Sequence, residues 1–282
     1  MESIVLLYVF ILGTIVGSFL NVVALRYNTG MPIVSGRSQC FHCSSTLKWY
    51  ELIPVFSYLS SKGKCRHCGS KISPRYLLVE ILVGLIFVGV LLRHLYYLPM
   101  YSIVFNGNLF YIYFLFVSYI IAFSLLLIIG LYDLRHMIIP DKMVYFFIFI
   151  SSLKLILFLS YKINDINLID VFDALSPFIL SIPFFLLWFL SKGRLIGFGD
   201  IKLVFGIGAL LGLALGTSSV ILAFWIGAAF AIGLLVINKF KNKNNISMKS
   251  EVPFAPFLIA GTLIVFFSQI DIFGLENLIQ LL

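Results

Sequence analysis

Leu109–Asp141 reads LFYIYFLFVSYIIAFSLLLIIGLYDLRHMIIPD. From Leu109 to Tyr132 the stretch carries no charged residue. A helix of that length crosses about 30 Å of hydrocarbon. The charge then arrives abruptly, with Asp133, Arg135, His136 and Asp141 close together. The stretch therefore predicts a membrane-spanning helix that ends on an acid. A carboxylate at the edge of the bilayer is costly, which makes Asp133 a candidate for function rather than for packing.

The same pattern repeats outward along the chain. Apolar runs recur at about Ile4–Ala24, Tyr76–Tyr96, Leu109–Leu131, Met143–Ser160, Ile169–Leu190, Ile201–Leu215, Ser218–Val236 and Phe254–Ile270. Residues are 61% hydrophobic and 11% charged, a balance that excludes a soluble globular domain. The expected fold is an all-α polytopic membrane protein of about eight transmembrane helices. Three segments follow: 1–25 as the first helix, 26–75 as a small cytoplasmic zinc-ribbon-like insert, and 76–282 as a seven-helix core. The first run starts at Ile4 with no basic segment before it, which argues for a retained helix rather than a cleaved signal.

Net charge is +8. That excess does not point to nucleic acid, because the basic residues follow the loops. Arg26, Arg37, Lys48, Lys62, Lys64, Arg66, Lys71 and Arg75 crowd the first loop. Arg135, then Lys192 and Arg194, then Lys239, Lys241, Lys243 and Lys249 fall in alternate later loops, whereas the opposite loops hold Arg93 and Lys162. The positive-inside rule then puts the first loop in the cytoplasm and both termini outside. Asp133 shares that cytoplasmic face with a second acid, Asp200, in Gly197-Phe198-Gly199-Asp200-Ile201-Lys202.

Glycines at 197 and 199 strip bulk from the approach to Asp200, leaving room for a substrate backbone. Two carboxyls that share a proton can activate water. Against this stand simpler readings: Asp200 as an N-cap after a Gly-rich turn, Asp133 as a helix-end charge, and Asp141 as a first-turn acid after Pro140. Lys202 either snorkels or faces the acids. Glu80 lies about one turn into the second span, where it pairs with Arg75 or Lys71 or lines the site. Asn21 either bridges helices or touches substrate. Gly13 and Gly17, and Gly208, Gly212 and Gly216, stand four apart and read as close helix packing.

All four cysteines lie in the insert, as Cys40-Phe41-His42-Cys43 and Cys65-Arg66-His67-Cys68. They open a short internal repeat, Cys40–Leu47 and Cys65–Ile72. Two such pairs close a tetrahedral zinc site, which would stand in for the core that so short an insert lacks. Disulfides are the alternative, disfavoured where thiols stay reduced. His42 and His67 occupy matching positions and read as neighbours of the metal shell rather than ligands. Four thiolates leave no open position, so such a zinc is structural.

Together these motifs resemble the type IV prepilin peptidases, bifunctional membrane aspartic proteases of the GxGD class. The resemblance runs through Gly17-Ser18-Phe19-Leu20-Asn21-Val22, both Cys pairs, Ser73-Pro74-Arg75-Tyr76 with Glu80, Asp133 with Ile139-Pro140-Asp141, Gly197–Lys202, and Pro253-Phe254-Ala255-Pro256-Phe257. It implies Asp133 and Asp200 as the catalytic pair, and Gly197, Gly199, Lys202, Asn21 and Glu80 around the active site. It implies Cys40, Cys43, Cys65 and Cys68 as metal ligands. The implied substrates are prepilins or pseudopilins, cut at the cytoplasmic face of the bacterial inner membrane. Methylation of the new amino terminus with S-adenosylmethionine is implied as well; no glycine fingerprint for that donor appears in the chain. Two other classes share some of these features. A proton-coupled transporter also carries intramembrane acids, but it usually shows a helix repeat that is missing here. A zinc-bearing assembly scaffold would leave the Gly-rich turn before Asp200 without a task.

Overall fold

The computed structural model describes residues 2–105, 107–163, 166–240 and 253–280. Lys241, Lys243 and Lys249, which entered the charge argument, lie outside the described residues. The described residues are mostly helical, and their only β pairing is two isolated bridges. Among the described residues, six helices are long and apolar enough to cross a membrane. The chain forms two compact units, Met1–Tyr97 and Leu98–Leu282.

The first unit contains α1 (Glu2–Arg26), the short α2 (Phe56–Ser60), and the start of α3 (Arg75–Val104). Gly13 and Gly17 let α1 approach α3 closely. A Cβ on Gly13 would stand 2.8 Å from the Gly84 Cα, and one on Gly17 would stand 2.9 Å from the Glu80 Cα. Asn21 is buried and donates from Nδ2 to the Tyr76 carbonyl at 3.3 Å, tying the C-terminal end of α1 to the first turn of α3. Much of α1 stays bare: Ile4, Leu7, Tyr8, Leu12 and Ile15 are each more than half exposed. That is the surface a lipid-facing helix presents.

The second unit is built from α4 (Leu109–His136), α5 (Asp141–Tyr161), α6 (Leu168–Ser191), α7 (Phe198–Leu211), α8 (Leu213–Phe240), α9 (Ala255–Ser268) and α10 (Leu275–Gln280). It opens with the last turns of α3, where Phe105 stacks on Tyr111 and its carbonyl accepts the Tyr161 hydroxyl at 2.7 Å. α7 packs chiefly on α5 and α6, α8 on α9, and α4 on α5 and α9. Glycines set these approaches as well. A Cβ on Gly206 would stand 2.4 Å from the Phe147 ring, and one on Gly130 would stand 2.9 Å from Ile259.

The sixth and seventh apolar runs separate at Gly212 rather than between Leu215 and Ser218. Gly212 has φ +81°, and a Cβ there would lie 2.4 Å from the Asp173 carboxylate. Both facts demand glycine. It is therefore a chain break and not one more packing glycine. α7 rises only about 21 Å, less than the hydrocarbon thickness, so its far end lies inside the apolar layer. The groups freed at the break must be satisfied by protein. Lys154 donates from Nζ to the Leu210 carbonyl at 2.7 Å, and Ser176 donates to the Gly208 carbonyl at 3.0 Å. Asp173 accepts the Leu213 N–H at 2.8 Å and so caps α8. A polar residue on each neighbouring helix thus closes the gap that a single glycine opens.

Candidate active site and metal centre

Asp133 occupies the last turn of α4. Its carbonyl accepts the N–H of Met137, whose left-handed conformation (φ 54°) ends the helix. The side chain is 4% exposed. It receives a hydrogen bond from the backbone N–H of Ala255, in the first turn of α9, where Pro256 follows. Proline tolerates that position because its missing donor is not needed there. The free amides of a helix N-terminus suit a carboxylate.

Asp200 comes from α7. The helix cap is Gly197, so Asp200 is the third helical residue rather than the cap, and its N–H donates to the Gly197 carbonyl at 3.2 Å. The backbone N–H of Gly197 hydrogen-bonds to the Asp200 carboxylate; a Cβ on Gly197 would stand 3.4 Å from Oδ2, an ordinary contact. The charge of Asp133 bears on Asp200. Two acids far apart in sequence are therefore electrostatic neighbours within one compact unit.

Gly199 turns its bare face to the α4–α5 connection: a Cβ would lie 2.8 Å from the Ile139 Cβ. Its space is filled by Ile139 and not left for a substrate. Lys202 neither faces the two acids nor reaches freely for solvent. It pairs with Asp141 on α5 and lies over the rings of Tyr145 at 5.0 Å and Phe198 at 5.3 Å. Asp141 is the first residue of α5, after Pro140, and its partner adds to the first-turn reading.

In the first unit the cysteine repeat is a structural repeat. The bridges Gln39↔Thr46 and Lys64↔Lys71 close two matching knuckles. Cys40 and Cys65 donate their N–H groups to Ser45 and Ser70 at 3.0 and 2.8 Å, and accept from Ser44 and Gly69, both with positive φ. The four sulfurs lie within 4.8 Å of one another, with Cys40 and Cys68 3.9 Å apart. Ligands about 2.3 Å from a tetrahedral metal stand about 3.8 Å apart, so the set fits an ion. The Cys43 and His42 amides, helped by the Ser70 hydroxyl, pull the Cys40 thiol down to about 6. The Ser70 hydroxyl likewise lowers Cys68. The amides of Cys68 and His67 favour the Cys65 thiolate, but burial and the adjacent sulfurs outweigh them and leave it raised. Amides aimed at sulfur are what a metal-bound thiolate needs. His42 and His67 are exposed and contribute these amides, while the ligand set itself contains cysteine alone.

Two family models match the chain: the Bacterial Peptidase A24 N-terminal domain over residues 11–94, and the Type IV leader peptidase family over residues 120–232. The chain belongs to the type IV leader peptidase family. A "Prepilin leader peptidase/N-methyltransferase" of Bacillus subtilis is 28% identical over 91% of this chain and 92% of its own length. One of the same name from Vibrio cholerae is 28% identical over 95% and 98%. A third, from Myxococcus xanthus, is 50% identical over 30% of this chain and 26% of its own. No solved structure matches significantly.

Asp133 and Asp200 fall inside the leader peptidase match, and the cysteines fall inside the A24 N-terminal match. Asn21 and Glu80 belong to the first unit. Glu80 is buried. Its Oε2 accepts the Val55 N–H at 2.7 Å, and the Ser18 hydroxyl also bonds to it, in place of the expected Arg75 or Lys71. The amide of Ala255 leaves no mark in residue type; the sequence signal nearest to it is Pro256 at the start of α9, within the Pro253–Phe257 motif.

Proposed function

We propose that the chain is a membrane aspartic endopeptidase that removes the leader from prepilin-like proteins and then N-methylates the new terminus. The observation that carries the reading is that two acids remote in sequence, Asp133 and Asp200, stand at the ends of two apolar helices of one unit, near enough for the charge of Asp133 to bear on Asp200. The family supports it, as do the relatives' names. One carboxylate takes a proton from water while the other, protonated, polarises the scissile carbonyl. The coupled pair titrates as a unit, so neither acid is a permanent base. The Ala255 amide holds Asp133, and the Gly197 amide holds Asp200. Substrate placement in the bilayer supplies proximity. No acyl-enzyme forms.

The cysteine set is a site for zinc, by the softness and number of its ligands. With all four positions filled by thiolate, its contribution is to the fold of the insert. S-adenosylmethionine supplies an electrophilic methyl group. Transfer to the amine forms a C–N bond as the C–S bond breaks, the bonding pair stays on sulfur, and a proton leaves to water. Prepilins or pseudopilins are the partners, and the first loop faces the cytoplasm with both termini outside.

The test mixes the purified protein with a prepilin in detergent, with and without S-adenosylmethionine, and weighs the product. A leader-less product, heavier by one methyl group when the donor is present, is expected. An uncut substrate overturns the peptidase reading. Accessibility of single introduced cysteines at 162 and 192 checks the orientation, with labelling from outside expected at the first and not at the second.

A further inference from the structure

The segment that joins the two cysteine knuckles, residues 48–62, reads KWYELIPVFSYLSSK. It lies between the membrane helices α1 and α3 and belongs to neither. Yet it turns large apolar side chains outward: Trp49 is 77% exposed, Phe56 63% and Leu59 61%. A protein surface in water rarely gathers such residues unless something covers them. Neither the metal ligands nor the two acids of the candidate active site need these side chains.

The charge around this segment is one-sided. From Arg26 to Arg75 the chain holds eight Lys or Arg residues and one acid, Glu51. The Glu51 carboxylate accepts the Lys48 N–H at 2.8 Å. Lys48 and Arg66 lie over the ring of Tyr50, at 5.9 and 5.4 Å, and Arg66 also donates to the Ser60 hydroxyl at 2.9 Å. Cations therefore stand among the exposed rings. Beside α2, Tyr58, Lys62, Lys64, Lys71 and Ser73 line a hollow of about 390 Å³ whose charged members are all cations. Lys64 and Lys71 stand opposite each other across the second knuckle's bridge. Like charges so placed are destabilising, and an anion between them relieves the cost. The hollow reaches Ser73 and Pro74, directly before Arg75 opens α3. The chain turns apolar from Tyr76 on, which sets the hollow at the level of the lipid headgroups.

We infer that residues 48–62 lie on the anionic cytoplasmic surface of the bilayer. Trp49, Phe56 and Leu59 enter the boundary between headgroups and acyl chains, and an anionic lipid headgroup sits among Lys62, Lys64 and Lys71. The inference rests on the cytoplasmic placement of the first loop proposed above. Trp and Tyr favour the membrane interface, and apolar side chains flanked by cations bind it when its lipids are anionic. Both ends of the insert run straight into membrane helices, so the surface is always within reach. A soluble acidic partner would satisfy the lysines and still leave the apolar side chains in water. An anionic lipid satisfies both, the headgroup meeting the cations and the chains meeting the rings.

The experiment uses the full-length protein carrying Trp188→Phe and Trp225→Phe, which leaves Trp49 as its one tryptophan. It is placed in nanodiscs of phosphatidylcholine, alone or mixed with phosphatidylglycerol. Both faces of a disc carry the same lipid, so the readout does not turn on orientation, which the introduced cysteines report separately. In the anionic discs, lipid brominated near the headgroup end of its chains is expected to quench Trp49, and acrylamide in the water to quench it less than in the neutral discs. Lys62→Ala/Lys71→Ala should shift the ratio of docked to undocked protein about thirtyfold, the worth of two cations at a charged surface, and so lose most of the bromine quenching. Phe56→Ser/Leu59→Ser should lose it as well. These four side chains are exposed and the cysteines are untouched, so metal content should stay at the wild-type value. Trp49 open to acrylamide and untouched by bromine in anionic discs overturns the inference. So does bromine quenching that is as strong in phosphatidylcholine alone and indifferent to the lysines. Shielding from acrylamide without bromine quenching also overturns it, since protein and not lipid then covers the segment, as does shielding that arises only when a prepilin is added. Prepilin cleavage by a protein whose Trp49 stays in water overturns the inference and leaves the proposed function standing.

Discussion

The two units solve the problem of holding polar groups in opposite ways. In the Met1–Tyr97 unit the polar chemistry lies in a short insert with little apolar core, and four sulfurs gathered around one point replace that core. In the Leu98–Leu282 unit the polar groups are inserted singly among apolar helices. Asp133 meets one amide, Lys154 one carbonyl, and Asp173 one N–H. The first arrangement is cooperative, and removing one ligand weakens the whole. The second is distributed, and each side chain can be removed at its own cost. An unpaired group in lipid costs several kcal/mol, so the distributed arrangement is also unforgiving locally.

The largest expected effect breaks chemistry without touching either support. Asp133→Asn or Asp200→Asn should lower leader cleavage by about 10²–10⁴-fold, the usual worth of a positioned acid or base. Metal content and melting temperature should stay at wild-type values. Normal processing by either variant removes that residue from the mechanism. Next comes the cooperative unit. Changing Cys40, Cys43, Cys65 and Cys68 together to Ser should strip the metal and open residues 27–73 to protease, while helix content by circular dichroism falls little. One metal per chain retained in that variant, measured by mass spectrometry, refutes the ligand assignment.

This contrast also decides what could be read from the sequence. The cysteine insert was legible because its information is local: a spacing, a repeat and a compartment. The helices were legible because hydropathy is local too. What the sequence hid is non-local. Gly212 reads as one member of a glycine series, and only the positions of Asp173 and Lys154 on other helices reveal a break. Lys202 stands two residues after Asp200, yet it turns to Asp141 on α5. The bare face of Gly199 belongs to Ile139, sixty residues earlier in the chain. At the candidate site, the acids were visible from their cost in lipid, but the Ala255 amide was not, because a backbone donor leaves no trace in residue type.

The break at Gly212 offers a medium-sized test of the distributed arrangement. Asp173→Leu removes the cap of α8 and should cost about 1–3 kcal/mol, seen as a fall of several degrees in the detergent melting temperature. Asp173→Asn keeps an acceptor for Leu213 and should cost much less. Lys154→Met leaves the Leu210 carbonyl bare and should resemble Asp173→Leu. Because the two charges interact across the break, the double variant should cost less than the sum of the single ones. Strict additivity would mean that each end is held independently.

The smallest effect separates an ion pair with one exposed partner from a tether to a backbone carbonyl. Lys202 lies close in sequence to Asp200 and makes one ion pair; its own side chain is 12% exposed, but that of its partner Asp141 is 64% exposed. An ion pair open to solvent is worth about 0–1 kcal/mol. Lys202→Met should therefore shift the melting temperature by no more than a degree or two, far less than Lys154→Met in the same unit. The aliphatic stem of Met can still cover Tyr145 and Phe198, so the packing survives. Two lysines on neighbouring helices would then differ in worth because one holds a carbonyl inside the apolar layer and the other a carboxylate that water already reaches. If Lys202→Met proves as costly as Lys154→Met, the exposure of Asp141 does not describe the protein in its membrane, and Lys202 is part of the tether system that holds α7.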